Sequence, residues 1–198
     1  MTPSEIRKHL RVQRNNLSNS DQTLHAKQAF NHFKQLLQTE TAFQTPQKIA
    51  LFLSQDGELS TQETIEYLWQ KTHHQVYLPV LETRDEWHMA FVHYTAQSTM
   101  IKNQFGILEP AAPHEDHLSG EKIDWVFMPL VGFDLKGNRL GMGGGYYDRT
   151  FAFKLNNPIE TTKLIGWAHQ CQQVENLPAE DWDVPLDGIL TEQGYREF

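Results

Sequence analysis

Four glycines within five residues, Gly141 and Gly143 to Gly145, lie between a predicted buried strand and a predicted helix that begins near Tyr146. Glycine accepts positive φ angles and lets backbone amides approach a ligand, and a helix amino terminus presents unpaired N–H groups to an anion. Arg139 precedes the glycines and offers a planar cationic fork for phosphate oxygens. Asp148 follows them and offers a hard oxygen ligand that suits Mg²⁺. The spacing therefore predicts a site for phosphate and a divalent cation.

The familiar nucleotide-binding motifs are absent from this segment. There is no Gly-x-x-x-x-Gly-Lys-Ser/Thr loop, and Gly141, Gly143 and Tyr146 do not fit the Gly-x-Gly-x-x-Gly dinucleotide pattern. A glycine cluster after a strand also occurs in tight turns and hinges. The glycines by themselves therefore leave both phosphate binding and a purely conformational role open.

Other residues that could bind metal or act as nucleophiles lack partners in the sequence. His73-His74 and His114-x-x-His117 are the densest histidine pairs, but neither has zinc-ligand spacing with further ligands, and we interpret them as surface residues. Cys171 is the only cysteine and lies two residues from His169. Without other features of a thiol enzyme, we interpret Cys171 as an inert thiol in a reducing compartment.

The charge distribution favours local rather than general anion binding. The net charge of −8 argues against nucleic acid as a partner, because binding to a phosphate backbone needs a dominant basic surface. Basic residues are nevertheless concentrated at the amino terminus, as Arg7, Lys8, Arg11 and Arg14. We find no run of about 20 apolar residues and no apolar signal segment, so we expect no membrane partner and a cytoplasmic protein.

The predicted elements alternate between helices and strands. A capping box at Thr2–Glu5 predicts a first helix to about Leu17, and Ser18 or Ser20 can cap a second helix. A further capping pattern at Ser60–Glu63 predicts a third helix. Short apolar, β-prone runs predict strands over Lys48–Ser54, Val76–Leu81, Trp87–Tyr94, Ile123–Leu130, Lys163–His169 and Asp187–Thr191.

These elements predict a single α/β domain over residues 1–198. We expect a three-layer sandwich around a mostly parallel central sheet, Rossmann-like but without the dinucleotide fingerprint, with ligands at the carboxyl ends of the strands. The proline-rich, acidic segment Glu109–His117 is predicted to be an exposed loop within this domain.

The segment Phe127–Asp148 resembles the signature of the 5-formyltetrahydrofolate cyclo-ligase family, of the form P-G-x-x-F-D-x-x-G-x-R-L-G-x-G-x-G-Y-Y-D. The resemblance covers nearly the whole chain. Its other parts are the basic segment Arg7–Arg14, the segment Leu53–Glu58 with Thr61, the segment Phe105–Pro110, and the segment Asp187–Leu190. Two positions depart from the pattern: Arg7 stands where many members have lysine, and Leu130 replaces a glycine.

The resemblance implies an ATP-dependent, Mg²⁺-requiring closure of 5-formyltetrahydrofolate, with or without a polyglutamate tail, to 5,10-methenyltetrahydrofolate in a monomer. The formyl oxygen would take the γ-phosphoryl group, N10 would attack the activated carbon, and phosphate would leave. Such a reaction needs positioning and charge neutralisation more than a protein nucleophile. This agrees with the lack of a serine, cysteine or lysine in a setting typical of a nucleophile.

The resemblance also implies roles for individual residues. Arg139 and Tyr146 would be catalytic, and Asp148 and Asp187 would bind the metal. The residues implied for ATP are Arg7, Lys8, His9, Leu10, Arg11, Arg139, Leu140, Gly141, Met142, Gly143, Gly144, Gly145, Tyr146 and Tyr147. The residues implied for the folate are Leu53, Glu58, Met142, Gly143, Gly144, Gly145 and Tyr146.

Some of these roles have a plainer alternative. Glu58 could be an exposed turn residue, Asp187 an acidic residue at the start of a strand, and the basic helix a solvated face. Two other functions remain as rivals, a non-catalytic nucleotide- or folate-binding module and a nicotinamide-dependent oxidoreductase. The absent dinucleotide fingerprint argues against the oxidoreductase, whereas Arg139, Asp148 and Asp187 together argue against an inactive binder.

Overall fold

A seven-stranded, mostly parallel sheet forms the centre of the protein. The computed structural model describes residues 1–82, 89–157 and 161–198. The strands are β1 Lys48–Ala50, β2 Gln75–Leu81, β3 Met89–His93, β4 Met100–Lys102, β5 Leu108–Pro110, β6 Trp125–Met128, β7 Gly132–Phe133, β8 Arg139–Leu140, β9 Lys163–Trp167, β10 Gly188–Thr191 and β11 Gly194–Glu197. The helices are α1 Pro3–Asn15, α2 Asn19–Thr39, α3 Gln62–Lys71, α4 Tyr146–Thr150 and α5 Phe153–Asn156.

The strand order in the sheet is β11-β10-β9-β6-β1-β2-β3. All neighbours from β10 to β2 pair in parallel, while β11 and β3 are antiparallel strands at the two edges. Two small antiparallel pairs, β4 with β5 and β7 with β8, lie outside this sheet. The predicted α/β class and mostly parallel sheet are therefore confirmed.

Apolar side chains cover both faces of the sheet. On one face, α2 and α3 pack on β1, β6 and β9, and Phe33 of α2 makes edge contacts with Phe127 at 5.3 Å and Trp167 at 6.2 Å between ring centroids. On the other face, Phe151 after α4 is fully buried in a cluster that includes Phe91. Burial on both faces explains why the central strands are continuously apolar in sequence.

The first two helices begin where the sequence predicts. The capping box at α1 is formed, because the Glu5 amide donates to Thr2 Oγ1 and the Thr2 amide donates to Glu5 Oε2. Helix α2 is capped by Ser18, not by Ser20, and the Ser18 hydroxyl accepts from the Asp21 amide. Helix α2 is the longest of the described helices, and none of those helices is both long and apolar enough to cross a membrane.

The predicted capping box of the third helix is wrong. Thr61, not Ser60, is the residue before α3, and no side-chain hydrogen bond caps this helix. The Thr61 hydroxyl instead donates to the Phe52 carbonyl, which ties the start of α3 to the segment after β1. A tertiary contact of Thr61 thus fixes the start of α3, without the Ser60 cap that the local sequence predicts.

Each predicted strand region contains a strand, although most strands are shorter than predicted. The prediction for Trp87–Tyr94 begins outside the described residues, and β3 covers Met89–His93. The segment Glu109–His117, predicted to be a loop, contributes its first two residues to β5. The edge strand β11 was not predicted, because its two half-buried and two exposed residues give only a weak apolar pattern.

Candidate active site

A cavity of about 1110 Å³ opens at the carboxyl ends of the parallel strands. Residues that follow or end three neighbouring strands line it, including Leu53 after β1, Leu81 at the end of β2, and Leu130 after β6. Loops at this edge of an α/β sheet diverge from one another and leave a crevice that can bind a ligand. The strand order therefore places the cavity where the fold class predicts a ligand.

The glycine-rich segment Gly141–Gly145 forms one wall of this cavity. Gly143 has a φ of +98° and Gly145 a φ of +61°, conformations that favour glycine strongly. Arg7 Nε donates to the Gly141 carbonyl at 2.7 Å, so α1 holds the segment from the side. Helix α4 has only five residues, so the positive charge at this wall comes mainly from arginines rather than from a helix dipole.

Four guanidinium groups, those of Arg7, Arg14, Arg139 and Arg149, line the cavity. The Arg139 side chain is only 4% exposed, and its Nη2 donates to Asp148 Oδ1 at 2.6 Å. Arg139 Nε is buried and has no hydrogen-bond partner within the described parts of the chain. A buried, charged donor without a partner is unfavourable, so this atom is suited to an acceptor supplied by a ligand.

Arg14 anchors the turn that carries Asp56 and Glu58. Its side chain is 1% exposed and donates to both the Asp56 carboxylate and the Asp56 carbonyl at 2.8 Å. Arg11 also donates to this carboxylate, and with Asn15 and Arg14 it lowers the pKa of Asp56 to about 2. Sequence reasoning placed Arg14 in the basic helix but did not predict its anchoring role, because its partner lies 42 residues away.

Glu58 is a mostly buried carboxyl group inside the cavity, not an exposed turn residue. Burial raises its pKa above the ordinary value, even though Arg14 lies 3.9 Å away and the Gln55 amide donates to it at 3.0 Å. The pKa of the Tyr147 phenol is also raised, first by burial and then by the negative charge of Glu58. The site therefore holds a carboxyl group that takes up a proton more readily than usual.

The structure does not bring the two predicted metal ligands together. Asp148 lines the cavity, and its Oδ1 accepts from Arg139 and from the Val184 amide, so Oδ2 is the atom that could bind a cation. Asp187 does not line the cavity. It lies at the amino ends of β9 and β10, where it accepts from the Leu164 amide and pairs with Lys154 at 3.2 Å.

Two acidic residues that the sequence interpretation did not assign to the site, Glu180 and Asp183, also line the cavity. No three carboxylate, imidazole or thiol ligand atoms of the described residues converge there. A Mg²⁺ ion commonly uses only one or two carboxylates and takes its other ligands from phosphate and water. The donor set of the cavity is therefore better suited to a cation that enters bound to a phosphate ligand than to an ion bound permanently by the protein alone.

The other residues of the basic helix have different environments. Leu10 is buried in a small core cluster together with Leu140, and it does not line the cavity, whereas the mostly buried Leu140 does. Lys8 and Arg11 line a separate shallow groove along α1 together with Arg7. His9 is exposed and lines neither space. Of the five residues implied for ATP in this helix, the structure places only Arg7 in the cavity.

Exposed apolar side chains form another part of the cavity lining. Tyr146 and Phe105 meet at 6.4 Å between ring centroids, which connects the glycine-rich segment with the turn between β4 and β5. Met142 is 59% exposed and Trp182 is 65% exposed, and both line the cavity. Trp182 was missed by sequence reasoning. An exposed tryptophan in an acidic segment is the signal that could have indicated it.

Comparisons with known proteins identify relatives of this chain. The profile of the family described as "5-formyltetrahydrofolate cyclo-ligase family" matches residues 2–192. The 5-formyltetrahydrofolate cyclo-ligase of Haemophilus influenzae is 43% identical over 186 residues, which cover 94% of this chain and 95% of that protein. The Escherichia coli K12 protein of the same name is 46% identical over 143 residues, 72% of this chain and 76% of its own.

A solved structure shares the fold over the full length of the chain. The NMR structure of the Aquifex aeolicus 5,10-methenyltetrahydrofolate synthetase superposes with a TM-score of 0.78 at 27% identity. The superposition covers 100% of this chain and 93% of the other.

Proposed function

Because the chain belongs to the 5-formyltetrahydrofolate cyclo-ligase family, we propose that it closes 5-formyltetrahydrofolate to 5,10-methenyltetrahydrofolate and uses ATP to drive the closure. The observation that carries this proposal is a single cavity with two kinds of lining. Arg7, Arg139 and the glycine-rich segment Gly141–Gly145 supply cationic and backbone groups, while Phe105 and Trp182 supply aromatic surface. The first lining suits a triphosphate and the second suits the flat rings of a folate.

The size of the cavity supports a reaction between two bound molecules. Pockets for a single small ligand commonly enclose about 300–1,000 Å³. This cavity, at about 1110 Å³, is larger than that range, and its two linings adjoin at Tyr146. We therefore infer that the γ-phosphoryl group and the formyl group meet beside the glycine-rich segment.

The proposed reaction needs no nucleophile from the protein. The formyl oxygen takes the γ-phosphoryl group and ADP is released. N10 then attacks the activated carbon, and phosphate leaves together with the N10 proton. Arg139 would neutralise charge on the transferred phosphoryl group through its buried Nε, and Tyr146 would hold the folate against this end of the cavity.

The residues of the cavity fit a Mg²⁺ ion bound to ATP. Asp148 Oδ2 would contribute a ligand, with Glu180 and Asp183 as the further carboxylates of the lining. The ion would supply charge neutralisation at the phosphate oxygens. Asp187 lies at the opposite ends of the strands, so we do not include it in this metal site.

Some further properties remain predictions from the sequence. We expect the chain to act as one cytoplasmic, monomeric domain that accepts folates with or without a polyglutamate tail. The negative net charge remains our reason for expecting no nucleic-acid partner.

The test is to incubate the purified protein with MgATP, with and without 5-formyltetrahydrofolate. We expect ADP release only when the folate is present, and methenyl product in amounts equal to ADP. ADP release that ignores the folate, or product that forms without ATP, would contradict the proposal. Product formation also separates this enzyme from a non-catalytic binder and from a nicotinamide-dependent oxidoreductase.

A further inference from the structure

A second cluster of candidate ligands lies outside the cavity lining, where α2 meets the ends of β9 and β10. It contains His25 of α2, His169 two residues after β9, and Glu192 directly after β10. His25 Nδ1 lies 3.0 Å from His169 Nδ1 and 3.8 Å from Glu192 Oε1. We propose that these three side chains form a binding site for a transition-metal cation such as Zn²⁺.

The spacing of the three donor atoms fits one cation. All three lie within 4.8 Å of one another. Zinc binds imidazole nitrogen and carboxylate oxygen at about 2.0–2.2 Å, so adjacent ligands of a tetrahedral ion are about 3.3 Å apart. The observed separations of 3.0 Å and 3.8 Å lie on either side of this value. Two imidazoles with one carboxylate favour zinc or cobalt over magnesium, which prefers oxygen ligands.

A simple hydrogen bond explains only part of the geometry. A proton between the two Nδ1 atoms would join His25 to His169, but it would leave Glu192 Oε1 at 3.8 Å from His25, beyond hydrogen-bond distance. A cation among the three atoms would engage all of them and would neutralise the carboxylate.

The surroundings hold these ligands in place. Glu192 Oε2 accepts from the Gln170 amide at 2.9 Å, which leaves Oε1 on the side of His25. The Glu192 carbonyl lies 3.2 Å from Nε2 of His32, which follows His25 by seven residues in the same helix α2. Such outer contacts orient metal ligands and strengthen binding. His169 is fully buried, whereas the side chain of His25 is 20% exposed and offers a route for the ion.

The other histidine cluster has a different arrangement. His114 Nε2 and His117 Nδ1 both contact the same atom, Glu82 Oε2, at 2.7 Å and 3.2 Å. Each imidazole there reaches the carboxylate directly, so hydrogen bonds account for the geometry without a cation. This cluster provides a matched control within the same chain.

The experiment uses metal-free protein titrated with Co²⁺, whose absorption in the visible range reports ligand geometry, followed by displacement with Zn²⁺. We expect one tightly bound equivalent and a higher Tm with Zn²⁺, because a ligand that binds only the folded state stabilises it. Loss of an outer contact typically lowers metal affinity by about 10–100-fold. His25→Ala and Glu192→Gln each remove a direct ligand, so each should lower the affinity for the metal by more than this. The control variant His114→Ala should bind the metal with the same affinity as the unaltered protein.

Melting of each variant without metal distinguishes a folding defect from the loss of a ligand. Glu192→Gln keeps the size of the side chain and an acceptor for the Gln170 amide, so it tests the proposal even if His25→Ala folds poorly. Three results would overturn the site: no stoichiometric binding, unchanged affinity in Glu192→Gln, or loss of binding in His114→Ala.

Discussion

Arg139 Nη2 lies 2.6 Å from Asp148 Oδ1, so the arginine proposed to bind phosphate and the carboxylate proposed to bind Mg²⁺ are paired with each other in the free protein. Both side chains are largely shielded from water, with 4% and 19% of their surfaces exposed. The pair keeps two opposite charges in the cavity without an uncompensated charge. Substitutions at either residue should therefore affect the stability of the protein as well as its catalytic rate.

Asp148→Asn should lower turnover by about two orders of magnitude and shift its dependence on Mg²⁺ to higher concentrations, since the metal neutralises charge in phosphoryl transfer. Asparagine keeps an oxygen acceptor for Arg139 and for the Val184 amide but removes the charge that compensates the buried guanidinium, so the Tm should also fall. Turnover against Mg²⁺ concentration, measured with thermal melts, checks this. Normal turnover with unchanged metal dependence would leave Asp148 a structural role only.

Arg139→Ala should raise the KM for ATP at least about tenfold, because it removes the buried donor that we assign to phosphate. It should also lower the Tm, since it leaves Asp148 without its partner. The double variant Arg139→Ala/Asp148→Asn should recover much of the Tm but not the KM. Arg196→Ala, an exposed arginine on β11, is the control and should change neither value.

Gly143→Ala should reduce turnover much more than Gly141→Ala in the same segment. Gly143 has a φ of +98°, which strains any residue with a Cβ, and that Cβ would lie 3.6 Å from Cζ of Arg7. Gly141 has no such backbone constraint, and the nearest atom to its added Cβ would be Arg139 Nη1 at 3.9 Å. Steady-state rates of the two variants at saturating ATP provide the comparison, and equal effects would argue against a conformational requirement at Gly143.

Asp56→Asn should make the stability of the protein less dependent on pH below about pH 4. The pKa of Asp56 is lowered to about 2, first by Arg11, so its charge stabilises the fold above the ordinary aspartate pKa of about 4 and loses this effect as the pH falls toward 2. Asparagine tolerates the φ of +50° at this position. The Tm difference between the two proteins should therefore be largest near pH 7 and shrink between about pH 4 and pH 2. A difference that stays constant over this range would show that the charge of Asp56 is not responsible.

Glu58→Gln should separate stability from activity. Burial raises the pKa of Glu58, so the ionised carboxylate destabilises the fold at pH values above the raised pKa. This destabilisation disappears as the pH falls below the ordinary pKa of glutamate. The neutral variant should therefore have an equal or higher Tm at pH 7. We expect slower methenyl formation, because the carboxylate proposed to contact the folate is lost. A lower Tm with normal turnover would assign Glu58 to the fold alone.

The sequence by itself determined the features that depend on residues close in the chain. The capping box at Thr2 and Glu5, the apolar runs of the central strands and the glycine-rich segment Gly141–Gly145 were all predicted, because their interactions lie within a few residues. Even there, the predicted Ser60 cap of α3 is wrong, because the helix begins after Thr61, whose hydroxyl donates to the distant Phe52 carbonyl.

Only the tertiary structure decided which distant groups meet. Arg14 reaches Asp56 across 42 residues, and His25 reaches His169 across 144 residues, because the order of the strands brings their loops to α1 and α2. The same strand order puts Asp187 at the amino ends of β9 and β10, away from Asp148 at the cavity. Local sequence patterns carry no information on strand order, since it depends on how the apolar faces of helices and sheet pack together over the whole chain.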